Sequence, residues 1–221
     1  MLNNTIYDFA LVNSILEDAY KKNNAPSVTL IASLKKTPYH ILISTIISLR
    51  TKDEVTLKSS MRLFEVADSL ESLNETDEKI IAQLIYPCGF YKTKAGNMKK
   101  IAGIILNTYN GIIPDEIDEL LKLPGVGRKT ANLVLILGYN KPGICVDTHV
   151  HRISNRLGWV QTKKPEQTEF KLRELLPPEY WRSINDYMVS YGQTVCTPLS
   201  PHCSLCKLSD FCQKNDVLKY R

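Results

Sequence analysis

The segment most informative about the fold is Leu123-Pro124-Gly125-Val126-Gly127-Arg128-Lys129-Thr130-Ala131-Asn132. Pro124 ends the apolar segment before it, because proline lacks a backbone N–H and restricts the preceding residue. Gly125 and Gly127 allow a tight reversal with positive φ, since neither carries a Cβ. A helix then opens near Arg128. The pattern therefore predicts a hairpin between two helices.

Such a helix start can bind a phosphate. Its first N–H groups have no partner within the helix and lie at the positive end of the helix dipole, and the glycines let a DNA phosphate come close. Lys129 lies in the first turn, where this dipole end and the neighbouring Arg128 disfavour the ammonium form. A lysine attacks carbon only when it is neutral, so Lys129 is the candidate nucleophile. The alternative is an ordinary turn with a surface lysine.

A carboxylate follows 18 residues later, in Val146-Asp147-Thr148-His149. Asp147 precedes a segment of helical composition, so one interpretation is a helix N-cap. The other is a catalytic carboxylate, and one residue can fill both roles. His149 either contacts DNA phosphates or belongs to a solvated helix face. A lysine, a carboxylate and a phosphate-binding turn together favour chemistry on a nucleic-acid sugar.

Four cysteines form a compact array with the spacing C-x6-C-x2-C-x5-C: Cys196, Cys203, Cys206 and Cys212. Four thiolates at such spacing bind a metal centre, either an iron–sulfur cluster or zinc. Two disulfides are a third, less favoured option, because the N-terminal segment does not resemble a signal peptide. Cys88 and Cys145 are expected to be reduced and buried.

The composition is that of a globular protein. Its 221 residues can form one or two domains, and a hydrophobic content of 43% supports a real core. The net charge of +5 is a modest basic excess that is consistent with nucleic-acid binding. No apolar run is long enough for a transmembrane helix. The acidic residues within Met1–Tyr20 argue against a signal or transit peptide, so a cytoplasmic location is expected.

Apolar periodicity predicts an almost wholly helical chain without an alternating strand pattern. The predicted helices are Tyr7–Lys21, Pro38–Leu49, Asp53–Phe64, Asp77–Tyr86, Thr93–Tyr109, Pro114–Lys122, Arg128–Leu137, Thr148–Arg156, Glu166–Leu176 and Pro178–Tyr191. The apolar run within Pro38–Leu49 indicates that this helix is buried.

The hairpin, the carboxylate segment and the cysteine array, in this order, resemble the endonuclease III family. This family belongs to the helix-hairpin-helix, Gly/Pro-Asp superfamily of DNA glycosylases. The similarity runs from about Ile41 to Cys212. It implies an all-α fold with two helical lobes. A six-helix module with the helix-hairpin-helix motif is expected at residues 33–140, and a second lobe with the cluster loop at residues 1–32 and 141–221.

The resemblance also assigns functional residues. It implies a catalytic lysine at Lys129 and a catalytic aspartate at Asp147. It implies that the array Cys196, Cys203, Cys206 and Cys212 holds a [4Fe–4S] cluster. Further residues are expected to bind DNA in and after the hairpin, and these are Gly125, Val126, Gly127, Arg128, Thr130 and His149. The implied partner is double-stranded DNA that contains damaged bases or abasic sites, bound by a monomer.

Two more segments match family elements that enter the DNA. The family commonly has glutamine at the Arg50 position, where the side chain fills the hole left by a flipped base. An arginine can occupy that hole and donate hydrogen bonds to the orphan base. Phe90 matches a wedge position that is usually aliphatic, and its ring could stack on bases or wedge a step open. The alternative for Phe90 is an ordinary core aromatic.

The implied activity is that of a bifunctional enzyme. Lys129 would attack the sugar C1′ of an oxidised pyrimidine such as thymine glycol, and β-elimination through a Schiff base would nick the strand. Adenine-excising relatives lack this lysine, and thymine-mismatch relatives carry tyrosine there. Within the superfamily, the alternatives are a mismatch uracil or thymine glycosylase and an enzyme that mainly cleaves abasic sites. A non-catalytic helix-hairpin-helix DNA-binding protein is the alternative from another class.

Overall fold

The computed structural model describes residues 8–23, 25–35 and 37–221, and all regular secondary structure within these ranges is helical. The helices are α1 (Phe9–Lys21), α2 (Ser27–Leu34), α3 (Pro38–Ser48), α4 (Asp53–Val66), α5 (Leu70–Glu75), α6 (Glu78–Ile85), α7 (Tyr91–Thr108), α8 (Ile117–Leu120), α9 (Arg128–Leu133), α10 (Thr148–Leu157), α11 (Pro165–Leu175), α12 (Pro178–Trp181) and α13 (Ile184–Thr194). A π-helical turn, Val134–Gly138, continues α9. The predicted all-α class is confirmed. None of these helices is long and apolar enough to cross a bilayer.

The chain divides into two compact units. Among the described residues, those within 26–143 form the hairpin unit, and those within 8–25 and 144–221 form the cysteine unit. The family resemblance implies two helical lobes, one at residues 33–140 and the other at residues 1–32 and 141–221. These lobe boundaries stay a prediction. Residues 1–7, which include the predicted helix start at Tyr7, lie outside the described residues.

Helix α3 is the centre of the hairpin unit. Every residue from Tyr39 to Ile47 is buried, which confirms the predicted buried helix. Helices α2, α4, α7 and α9 pack around it. Its N-cap is Thr37, whose hydroxyl accepts the His40 N–H at 3.4 Å. Burying an aliphatic side chain contributes roughly 1.5–3 kcal/mol, so this helix anchors the turns at its ends.

Helix α13 is the centre of the cysteine unit. It packs against α1 and α10, and α11 packs on α10. Leu16, Val150 and Met188 belong to the shared apolar core. Cys145 is fully buried here, and Cys88 is buried in the hairpin unit; both are free thiols, as predicted.

The predicted helix over Pro114–Lys122 is wrong in its first part. Only the four residues of α8 are helical. Asp115 and Glu116 instead face Lys141, whose ammonium lies 2.9 Å and 2.7 Å from their carboxylates. The same ammonium donates a hydrogen bond to the Asp115 carbonyl at 2.6 Å, and this interaction replaces a helical hydrogen bond.

The predicted helix over Pro178–Tyr191 is also wrong, because it is two helices, α12 and α13. The Trp181 indole N–H donates to the Leu176 carbonyl at 2.7 Å, which holds α12 against the end of α11. The chain bends at residues 182–183 before α13 begins. Two further helices, α2 and α5, were missed.

Candidate active site and cysteine loop

The hairpin between α8 and α9 is a tight turn. The Val126 N–H donates to the Leu123 carbonyl at 3.1 Å and closes it. Gly125 takes a positive φ of 76°, as predicted. Gly127 does not, since its φ is −104° and its backbone is extended, so that part of the prediction is wrong. The reversal therefore depends on one glycine.

Gly127 has a different role, because it is the residue from which α9 starts. Its carbonyl accepts the Ala131 N–H at 2.9 Å, and no side chain caps this helix start. A Cβ placed on Gly127 would find no heavy atom within 4 Å. The surface above the first turn of α9 is therefore open to a ligand.

The first turn of α9 places its three predicted residues differently. Arg128 and Lys129 are half-buried. Thr130 is 1% exposed, and its hydroxyl has no hydrogen-bond partner among the described residues. Asn132 is buried and donates to the Arg128 carbonyl at 3.0 Å. The helical turn that carries Lys129, the predicted nucleophile, therefore has its opposite face packed in the core.

Asp147 is the N-cap of α10. Its Oδ1 accepts the His149 N–H at 2.8 Å and the Val150 N–H at 3.0 Å. The N-cap interpretation is therefore confirmed, while the catalytic role stays a prediction. Lys129 belongs to the hairpin unit and Asp147 to the cysteine unit.

The His149 ring is packed against α13. Its Nδ1 lies 3.1 Å from Arg152 Nη2, and a guanidinium only donates, so Nδ1 accepts and a neutral ring carries its proton on Nε2. A Cβ on Gly192 would lie 2.4 Å from the same nitrogen. Glycine at this position therefore makes room for the His149 ring in the first turn of α10.

Two arginines of α10 hold the cysteine loop, residues 196–212. Arg152 donates to the Cys196 carbonyl at 2.8 Å. Arg156 is 7% exposed and donates to the Thr197 and Pro198 carbonyls, both at 2.8 Å. Arg156 therefore belongs to the packed side of α10 and not to a solvated helix face. The helix that begins at Asp147 is thus fastened to the loop through its arginines.

Three of the four cysteine sulfurs, those of Cys196, Cys206 and Cys212, lie within hydrogen-bond distance of a partner. Arg156 Nη1 donates to Cys196 Sγ at 3.3 Å, and the Lys214 N–H donates to Cys212 Sγ at 3.4 Å. The Tyr191 hydroxyl lies 3.1 Å from Cys206 Sγ. Such contacts stabilise thiolate sulfur.

None of the four cysteines forms a disulfide, so the disulfide option is wrong. Burial raises the pKa of the Cys212 thiol, and the neighbouring Cys196, Cys206 and Cys203 raise it further. Among the described residues, no group of three or more potential ligands has an arrangement that could hold a single metal ion.

Arg50 and Phe90 both lie on exposed turns of the hairpin unit. The Phe90 ring is 62% exposed, so the alternative that it is a core aromatic is wrong. Sequence reasoning missed Lys94, which is buried behind these turns and whose pKa burial lowers. Its signal was its place on the apolar face of α7, four residues before the buried Met98.

The chain matches the family model described as HhH-GPD superfamily base excision DNA repair protein over residues 43–178, which is more than half of its length. This match covers both the hairpin and the N-cap aspartate. The fold and these elements therefore define a helix-hairpin-helix base excision DNA repair protein.

The relatives narrow this class. Endonuclease III of Thermotoga maritima is 49% identical over 176 residues, which cover 80% of this chain and 83% of the relative. Endonuclease III homolog 2 of Arabidopsis thaliana is 46% identical over 187 residues, and the chain spans about half of that longer protein, 48%. A solved structure of a trapped covalent endonuclease III–DNA intermediate has a TM-score of 0.79 and 30% identity, with 93% of this chain and 95% of that chain covered. The chain belongs to the endonuclease III family.

Proposed function

We propose that this protein is a bifunctional DNA glycosylase and AP lyase that removes oxidised pyrimidines such as thymine glycol from double-stranded DNA. The observation that carries the proposal is Lys129 in the first turn of α9, directly after the open helix start at Gly127. The protein acts as a monomer in the cytoplasm, associated with the nucleoid through DNA. A binding protein without chemistry would not need a lysine at position 129, whereas Asp147 would still serve it as the N-cap of α10.

Binding begins with the DNA backbone. The chain carries 28 lysine and arginine residues against 23 acidic residues, and most contacts of such side chains go to phosphates without reading sequence. One phosphate lies over Gly127, where the N–H groups of a helix start and the missing Cβ favour it. The damaged nucleotide is then flipped out of the stack, which costs least for a poorly stacked lesion.

The reaction is a displacement at the sugar. The neutral Lys129 amine forms a bond to C1′ while the bond from C1′ to the damaged base breaks, and the base leaves with the bonding electrons. Asp147 stabilises the positive charge that develops on the sugar and accepts a proton from the amine. The nitrogen lone pair then forms the C=N bond of a Schiff base while the C1′–O4′ bond breaks and O4′ takes up a proton, which opens the sugar ring. Loss of a C2′ proton then expels the 3′ phosphate and nicks the strand.

Substrate choice is tested by comparing duplexes that differ only in the lesion. We expect thymine glycol to be excised and nicked faster than uracil or thymine in a mismatch, with a Schiff base trapped by borohydride. A preference for the mismatches would replace the proposed substrate. Cleavage of abasic sites alone would leave an AP lyase. The opposite base is varied in the same series, because Arg50 stands where the family commonly has glutamine.

The two hairpin glycines separate folding from DNA binding. Gly125→Ala places a side chain at a φ of 76° and 2.5 Å from Asn97 Nδ2, so we expect it to destabilise the protein by more than about 1 kcal/mol. Gly127→Ala meets no atom within 4 Å and keeps an extended backbone, so the stability loss should stay below about 1 kcal/mol, the usual effect of a poorer residue at a helix N-cap. Its methyl group would instead push a phosphate away, weakening binding about tenfold or more, as for one lost charged hydrogen bond.

Thermal unfolding measures the first effect, and the affinity for an abasic duplex at fixed salt measures the second. If Gly127→Ala binds DNA as tightly as the wild type, no phosphate approaches this position.

We also propose that Cys196, Cys203, Cys206 and Cys212 hold a [4Fe–4S] cluster, as proteins of this family generally do. The free thiols, the hydrogen-bond donors on their sulfurs and the C-x2-C pair fit such a group. When bound, the cluster supplies no step of the base excision. Arg152 and Arg156 connect the loop to the helix of Asp147, so ordering the loop also fixes that helix.

Purified protein should be brown and contain about four iron and four sulfide ions per chain. Cys203→Ser should lose iron and visible absorbance, whereas Cys145→Ala, which changes a buried cysteine outside the loop, should keep both. A colourless protein with one zinc ion per chain would contradict the cluster.

A further inference from the structure

Two exposed turns of the hairpin unit lie side by side. The Arg50 turn (residues 49–51) follows α3, and the Phe90 turn (residues 88–90) precedes α7. Arg50 and Phe90 both take left-handed backbone conformations, with φ of 53° and 58°. The Arg50 guanidinium carbon lies 5.4 Å from the centre of the Phe90 ring, in a cation–π arrangement. The stacked pair is therefore already formed at the surface.

A buried lysine holds the Arg50 turn. The Lys94 ammonium donates to the Ile47 carbonyl at 2.7 Å, to the Leu49 carbonyl at 2.6 Å and to Thr51 Oγ1 at 3.0 Å. Both carbonyls lie at the end of α3, where a helix leaves carbonyl groups without partners and favours positive charge. Lys94 is 6% exposed, and three acceptors satisfy its three hydrogens.

The same hydroxyl connects the Phe90 turn. The Gly89 N–H donates to Thr51 Oγ1 at 3.1 Å. A Cβ on Gly89 would lie 2.5 Å from the Arg50 carbonyl oxygen, so the two backbones approach as closely as only glycine allows. Lys94 also lies in the first turn of α7, where its N–H donates to the Phe90 carbonyl at 3.0 Å. One residue thus contacts both turns.

We propose that Lys94 is a positioning residue that locks the Arg50 turn to the Phe90 turn, so that both side chains enter the damaged duplex as one preformed unit. The inference rests on the proposed function, because it concerns how the enzyme opens the duplex. Left-handed conformations of residues other than glycine persist only where their surroundings hold them. Without the ammonium, the carbonyls at the end of α3 would turn towards water and Arg50 would leave the ring.

Lys94→Met tests this role, because it removes the ammonium and keeps the length of the side chain. We expect excision of thymine glycol from a duplex to slow about tenfold or more, as for other misplaced positioning groups. Cleavage of a preformed abasic duplex should slow less than about threefold, because an abasic sugar has no base to unstack.

Lys99→Met is the matched control. Lys99 lies on the same helix, and its ammonium also donates to two backbone carbonyls, those of Asn74 at 2.6 Å and Thr76 at 2.7 Å. Neither carbonyl belongs to the two turns, so both reactions should keep their wild-type rates. Equal slowing by the two variants would overturn the role of Lys94 and leave the proposed function intact. A wild-type protein that cleaves neither duplex would overturn both.

Coupling to the stacked pair is tested by combining Lys94→Met with Phe90→Ala. If Lys94 acts through the pair, the double variant should be slowed, relative to the wild type, by much less than the product of the two single-variant effects. A full product would overturn the inference. If Lys94→Met does not fold, Thr51→Val takes its place, because it removes the hydroxyl shared by Lys94 and Gly89 and leaves the ammonium with its two carbonyls. The same outcomes then decide.

Discussion

Lys129→Gln should abolish strand cleavage and the adduct that borohydride traps. Glutamine has a similar length and polarity but cannot form a Schiff base, so the covalent route is lost. Removing the nucleophile of a covalent mechanism costs at least about 10³-fold in rate. The measurement is trapping on a thymine glycol duplex and on an abasic duplex, with both proteins at equal concentration. The abasic duplex is needed because it forms the Schiff base without base excision.

Binding and folding should survive this change. Loss of one positive charge lowers the number of counterions released on DNA binding, which the salt dependence of the affinity reports, by about one at most. A half-buried lysine near the surface contributes little to the free energy of unfolding. Lys58→Gln is the control, because it removes the same charge from an exposed lysine that pairs with Glu54 on α4. An adduct that persists in Lys129→Gln would place the nucleophile on another amine. No adduct from the folded wild type would leave a monofunctional glycosylase or a DNA-binding protein.

Most of the helices could be predicted because a buried helix face repeats at helical spacing, as in α3 and α7. The same signal fails for short helices. Helix α5 has six residues and depends on a capping box between Ser69 and Ser72 rather than on a repeated apolar face. The predicted start of α8 is not helical because Asp115 and Glu116 contact Lys141, which lies 26 and 25 residues further along the chain.

The site divides in the same way. Lys129 and Asp147 stand in short local motifs, a hairpin before a helix and an N-cap, and such motifs are visible in the sequence. Lys94 and Arg156 act on backbone carbonyls more than 40 residues away in the chain, and carbonyls carry no sequence signal. The indication was only that a charged residue occupied a buried helix face, which requires partners that the sequence does not name.

Asp147→Asn should separate the two roles of this residue. Asparagine caps a helix about as well as aspartate, so α10 should keep its N-cap and the free energy of unfolding should change by less than about 1 kcal/mol, the range of a single charge at a helix end. The carboxylate charge is lost, and base excision should fall by about 10²- to 10⁴-fold, the range of a general acid–base group. Cleavage of a preformed abasic site should fall less, because no base leaves and less positive charge develops on the sugar.

Asp147→Ala is the matched variant that removes both roles. It deletes the oxygen that accepts the His149 and Val150 N–H groups, so its free energy of unfolding should be about 1 kcal/mol lower than that of Asp147→Asn. Its excision rate should nevertheless match that of Asp147→Asn, since both lack the charge. If Asp147→Asn excises thymine glycol like the wild type and only Asp147→Ala fails, the aspartate serves α10 alone and another group must stabilise the sugar. Equal loss in both variants, with stability lost only in Asp147→Ala, would assign the carboxylate to the chemistry.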